Sequence, residues 1–150
     1  MVDLMIYESG NGGELSLVNG DIEMIDGISN QPYLAHFGGN IEASTTGEEI
    51  EGEERKDWFG NVFLLNNPGT QMNSELERSM NENSLNSSGR SKIENAAKND
   101  LSYLSDTAKV DSKVSVTGVD KVLITDTINE LKANFQWDAS KSELIEEITI

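Results

Sequence analysis

One histidine, twenty-seven carboxylates and no cysteine define the chemistry open to this chain. His36 stands beside Phe37 in a segment with helical spacing. A general base needs an orienting partner and a nucleophile within reach, and the neighbouring sequence supplies neither, so His36 reads as a packed or surface residue. One imidazole without thiolates leaves no zinc set, and disulfides and a cysteine nucleophile are excluded. Two carboxyls about 5–10 Å apart with separated pKa values can cleave a glycosidic bond, but no feature of the sequence places an acid in an apolar pocket. The run Gly47-Glu48-Glu49-Ile50-Glu51-Gly52-Glu53-Glu54 lacks the ligand spacing of an EF-hand calcium loop. Nucleophile-elbow, phosphate-loop and dinucleotide patterns are missing from their required contexts. The expectation is a protein that is not an enzyme, with no catalytic, metal or cofactor-binding residue assigned.

Recognition chemistry is better represented. The acidic stretch ends in Arg55-Lys56-Asp57-Trp58-Phe59-Gly60-Asn61, followed by Val62-Phe63-Leu64-Leu65. Trp, Phe and Arg anchor protein interfaces because they bury large area with little loss of rotamer freedom. Arg55, Trp58, Phe59 and Gly60 are therefore the candidate interface residues. Trp58 and Phe59 can equally belong to the chain's own core, and one ring facing in while the other faces out satisfies both readings.

The elements that must position these residues follow from periodicity. Leu4 and Ile6, Leu15 and Leu17, and Ile22 and Met24 alternate as short strands. Asn19-Gly20 between the last two pairs is a type I′ hairpin signal. Residues 28–37 predict a short helix with Asn30 as N-cap and Pro32 in the first turn, stopped by Gly38-Gly39-Asn40. Residues 43–54 read as an exposed acidic loop. Met72, Leu76 and Met80 hint at a helical turn or two. The strongest helix spans 88–105, with Ile93, Ala96, Ala97, Leu101 and Leu104 on one face and a cap at Ser91, Ser87 or Ser88. Four strands follow, marked by Val114 and Val116; Val122, Ile124 and Ile128; Phe135 and Trp137; and Leu144, Ile148 and Ile150. Short strands with tight turns predict an antiparallel meander with one face on the 88–105 helix. The expected architecture is α+β: one small domain over 1–150, with extra C-terminal strands in 132–150.

Length and charge bound the class. A chain of 150 residues buries roughly 68–70% of its unfolded surface, enough for a core without metals or disulfides. No apolar run approaches the ~18–20 residues that span a bilayer. Met1-Val2-Asp3-Leu4 lacks a basic n-region and predicts no signal peptide, so the chain reads as cytoplasmically made and soluble. The net charge is −16, and residues 1–54 hold twelve acids and no Lys or Arg, whereas the rest hold fifteen acids and eleven bases. Nucleic acid and anionic membrane are repelled by such a surface. It serves either as a solvated face or as a match to a basic partner.

The order of features resembles a known family. A hairpin carrying Leu15-Ser16-Leu17-Val18-Asn19-Gly20-Asp21-Ile22 leads to a short helix, then an acidic loop delivering Glu54-Arg55-Lys56-Asp57-Trp58-Phe59-Gly60-Asn61, then the 88–105 helix and a Val-rich hairpin. This resembles the tail protein encoded by gene forty-six of Mu-like phages and prophages. It is more distantly similar to the gene-twenty-five-type baseplate wedge proteins of contractile tails. The first family carries an Asp-Arg-Arg-Gly-Trp-Trp-Gly-Asp-like stretch after its acidic loop. Arg55, Trp58 and Gly60 match it, while Lys56-Asp57 replaces Arg-Gly, Phe59 the second Trp and Asn61 the acid. In the second family an Arg precedes Phe-Gly, as Arg55 precedes Phe59-Gly60. The resemblance spans roughly residues 3–128. It implies a structural component of the virion tail baseplate, made in the bacterial host cytoplasm, whose partners are other baseplate and tail proteins, with no small-molecule substrate. The alternatives from the residues alone are an acidic regulator of a basic protein and, behind it, a carboxylate-dependent glycan hydrolase.

Overall fold

The structure is a computed structural model that describes residues 2–8, 13–39, 73–141 and 143–149. Alternation of apolar and polar residues builds its C-terminal half. Strands β7 (Val110–Val116), β8 (Lys121–Ile128), β9 (Leu131–Asp138) and β10 (Glu143–Thr149) form an antiparallel meander in the order β10-β9-β8-β7. Val122, Ile124 and Ile128 of β8 and Ala133, Phe135 and Trp137 of β9 are buried, every second residue, as a sheet with one covered face requires. Ile124 lies opposite Val114 on one side and Phe135 on the other. The architecture is α+β, as expected, and the strands expected in 132–150 are full members of this sheet.

Among the described residues three α-helices precede the meander: α1 (Gln31–Phe37), α2 (Leu76–Glu82) and α3 (Ser87–Asp100). Leu76 and Met80 of α2, and Ile93 and Ala97 of α3, share one core cluster with Val114, Val122, Ile124, Phe135 and Trp137. Helix α3 is shorter than the expected 88–105: it ends at Asp100, and Ser102–Leu104 is a 3-10 turn. Its cap also differs from the expected serines. Asn86 Oδ1 accepts from the backbone N–H groups of Ser88 and Gly89, both at 3.0 Å, satisfying two of the donors that a helix start leaves open. At Gly89 a Cβ would stand 1.9 Å from the Ser84 carbonyl oxygen, so the loop from α2 folds directly across the first turn of α3.

Helix α3 also covers an open sheet edge. Among the described residues strand β7 pairs only with β8, and unpaired edge groups template unwanted strand addition. Arg90 Nη1 donates to the Val114 carbonyl at 3.2 Å, and the Val114 N–H donates to Glu94 Oε2 at 3.2 Å. Arg90 and Glu94 bond to each other at 2.9 Å, so one ion pair occupies both outward-facing groups of Val114.

The N-terminal segment goes beyond the expected hairpin. Three extended runs are each broken into two short strands: β1 (Val2–Leu4) and β2 (Ile6–Glu8), β3 (Gly13–Leu15) and β4 (Leu17–Val18), β5 (Asp21–Ile22) and β6 (Met24–Asp26). Strand β1 pairs with β6, β2 with β3, and β4 with β5, all antiparallel. Each run therefore pairs with both others, over a different half. At the centre a ring of backbone bonds closes on itself: Met5 N–H to Glu23 C=O at 2.9 Å, Glu23 N–H to Ser16 C=O at 2.9 Å, and Ser16 N–H to Met5 C=O at 3.0 Å. The Asn19-Gly20 turn adopts the expected form, with φ of 53° and 83°.

The Asn30 side chain bonds this junction to the turn that precedes α1. Asn30 makes no side-chain cap for α1, contrary to the expectation. Its amide turns the other way: Nδ2 donates to the Leu4 carbonyl at 2.6 Å and Oδ1 accepts from the Ile6 N–H at 3.3 Å. Those two groups point to one edge of the chain while the Met5 groups point to the other, so the amide imitates the peptide of a neighbouring strand. Asn30→Leu removes both bonds and leaves two part-buried backbone groups unpaired, at about 1–3 kcal/mol each. The expected result is a lower denaturation midpoint, with hydrogen exchange at Ile6 accelerating before that of the β8 and β9 amides. An unchanged midpoint would mean that Asn30 does not hold the junction.

Candidate functional site

The chain's one imidazole is at the centre of a sealed polar cluster. His36 of α1 has its Nδ1 3.1 Å from Asp100 Oδ2, at the end of α3, and its Nε2 2.7 Å from Asp126 Oδ2, on β8. The side chains of all three are 1% exposed or less. The second oxygen of Asp126 accepts from Ser112 Oγ of β7 at 2.6 Å, directly across the β7–β8 pair. Asp100 caps α2 from a different helix: Oδ1 accepts from the Glu75 N–H at 2.7 Å, and Oδ2 from the Leu76 N–H at 3.1 Å and Ser74 Oγ at 3.3 Å. Ser74 Oγ also donates to the His36 carbonyl. The edge of the Phe135 ring relation completes the enclosure, with centroids 5.8 Å apart and planes at 89° to the imidazole.

Electrostatics fix the charge state. Burial alone would push the imidazole towards neutrality, but the Asp126 charge, hydrogen bonds accepted by both carboxylates and the Asp100 charge outweigh it and raise the pKa of His36 to about 9. The ring is an imidazolium at neutral pH, donating from both nitrogens. Such a group cannot accept a proton as a general base, and neither serine bonds to its ring. The cluster joins α1, α2, α3, β7 and β8, and its chemistry is that of a structural clamp.

Sequence reasoning placed His36 among packed or surface residues, and the structure puts it in the core. It missed Asp100 and Asp126, although both stand on faces otherwise apolar. Asp100 follows Ile93, Ala96 and Ala97 on the buried face of α3, and Asp126 follows Val122 and Ile124 on the buried face of β8. An acid at a core position needs a buried counter-charge, and the chain has a single histidine to offer.

The second candidate is the N-terminal junction. Strand alternation sets the neighbours of Met5, Ser16 and Glu23 on the face opposite their own side chains. The centre's own face carries a polar bond, Ser16 Oγ to Glu23 Oε2 at 2.5 Å, beside the exposed Tyr7 and Val18. The opposite face holds three cross-strand apolar pairs: Leu4 with Met24, Ile6 with Leu15, and Leu17 with Ile22. Ile6 packs on the core. The other five are exposed: Leu4 37%, Leu15 46%, Leu17 68%, Ile22 42% and Met24 55%. Arg55, Trp58, Phe59 and Gly60, with the acidic loop at 43–54, lie outside the described residues. Comparison with known proteins finds no family model, no curated protein and no solved structure that matches this chain.

The clamp has a definite pH signature. A histidine whose folded pKa is raised from 6.5 to about 9 stabilises the fold fully below pH 6.5 and loses that contribution as pH climbs through about 9. Urea midpoints should fall across this window by the equivalent of roughly 3 kcal/mol. His36→Gln, which leaves two buried carboxylates without their cation, should start about 3–5 kcal/mol less stable and show no such slope. A wild-type midpoint that stays level from neutral to alkaline pH would contradict a charged clamp.

Proposed function

We propose that this chain is a structural subunit of a contractile phage tail, built into the baseplate wedge through protein–protein contacts. The observation that carries this reading is the distribution of its side chains. The histidine and its two carboxylates are spent inside the molecule holding helices to sheet, while eight large apolar side chains of one small module are exposed. Exposed apolar side chains gathered in one region mark interaction surfaces. The resemblance to the Mu-like tail protein and the wedge proteins supplies the assembly in which such contacts are made. In this reading Arg55, Trp58, Phe59 and Gly60 form a further contact: rings for buried area, Arg55 for a directed hydrogen bond, Gly60 for close backbone approach.

Tagged protein recovered from cells making the whole tail gene cluster should bring down other baseplate proteins, identified by mass spectrometry. Trp58→Ala should lower that recovery about tenfold or more, as loss of an interface anchor does. Recovery of one basic host protein, with no tail protein, would replace the tail assignment with that of an acidic regulator.

A further inference from the structure

We infer that Asn19-Gly20 is a site of spontaneous covalent modification, where the side-chain amide leaves as ammonia and the chain is rejoined through the β-carbon, loosening the three-strand junction. The inference rests on the turn itself and stands or falls independently of any tail assembly.

Among the described residues two asparagines adopt the left-handed region, Asn19 at φ 53° and Asn129 at φ 56°. Their surroundings differ. The Asn129 side chain is held, since its Oδ1 accepts from the Lys109 N–H at 3.0 Å, and its own N–H donates to the Lys109 carbonyl at 2.8 Å. Its successor is Glu130, whose side chain hinders attack by the following nitrogen. Asn19 is exposed, and among the described residues no hydrogen bond engages its side chain or the Gly20 N–H. A Cβ at Gly20 would meet nothing within 4 Å, so neither a side chain of its own nor a neighbour crowds the Gly20 nitrogen.

The reaction needs only water. The Gly20 nitrogen attacks Asn19 Cγ, a new N–C bond closes a cyclic imide, and the Cγ–Nδ2 bond breaks. The proton lost from the Gly20 nitrogen is balanced by the one that Nδ2 takes up as it leaves as ammonia. Water then opens the imide at either carbonyl. Opening at Cγ leaves an ordinary aspartate. Opening at the backbone carbonyl leaves a chain that runs through Cβ and Cγ and is one atom longer.

Ring closure requires the turn to open, and this turn is weakly held. Its ladder is two pairs, Leu17 with Ile22 and Val18 with Asp21, and so short a hairpin is not stable alone. The lengthened chain no longer fits a two-residue type I′ turn, whose form both central residues set. The next bond inward is Glu23 N–H to Ser16 C=O, one of the three that close the central ring. Damage at the turn therefore reaches the ring.

The test incubates the folded full chain at mildly alkaline pH and maps it by mass spectrometry. Cleavage after glutamate isolates residues 15–23 from 9–14, where Asn11-Gly12 lies outside the described residues, and trypsin isolates 122–132 with Asn129. Peptide 15–23 should gain the mass of an amide-to-acid exchange and split into two isomers, one of them methylated by an isoaspartyl methyltransferase. Peptide 122–132 should stay unchanged over the same time. Hydrogen exchange at the Glu23 N–H should be severalfold faster in the β-linked product than in freshly prepared Asn19→Asp, which carries the same charge on an unlengthened chain. No mass gain in 15–23, or an equal gain in 122–132, would overturn the site. Equal Glu23 exchange in the two forms would overturn its effect on the junction.

Discussion

Two carboxylates and one imidazolium, buried together, are the constraint around which the described structure is arranged. Asp100 reaches His36 from the end of α3, Asp126 reaches it from the middle of β8, and the remaining carboxylate positions go to Ser112 and to the first turn of α2. Burying three charges is costly, and their mutual attraction offsets that cost only when geometry and hydrogen bonding are complete. Completeness is what the distances show. The gain is specificity: apolar packing alone lets helices slide on a sheet, whereas a cation with two fixed anions has one position. The aromatic surroundings, where Phe37 stacks on Trp137 and Phe135 stands edge-on to the imidazole, then fill the space around that point.

The same device, a polar side chain standing in for backbone, recurs at the periphery. Asn86 closes the start of α3, Arg90 and Glu94 occupy the open groups of Val114, and Asn30 completes the edge between Leu4 and Ile6. Each removes an unsatisfied backbone group where regular structure stops. At β7 this occupies both outward groups of Val114, to which a further strand would have to bond. At Asn30 it lets three very short pairings persist, although two- and three-residue ladders are too small to be stable alone.

The sheet and α3 were legible because alternation and the 3/4 spacing are properties of local sequence. Val122, Ile124, Phe135 and Trp137 announce a face, and Ile93, Ala97 and Leu101 announce a stripe. The caps were not legible, since Asn30, Asn86 and the serines all have the right chemistry and only tertiary geometry decides which is used. The clamp lay between these cases. Asp100 and Asp126 break apolar faces visibly, but their partner is far away in sequence, and spacing cannot show that the three meet. The junction shows a further limit: Leu15, Leu17, Ile22 and Met24 alternate as half-buried strands do, and alternation says that one face wants cover without saying whether this chain or another provides it.

The clamp also has a consequence for the order in which the molecule can form. His36 is separated from Asp100 by 64 residues and from Asp126 by 90. At about 5–20 residues per second, the imidazole waits several seconds on the ribosome for its first anion and longer for its second. Until β8 has emerged, the clamp lacks its second anion. Contacts of this range slow folding, because a long loop must close before the contact rewards it.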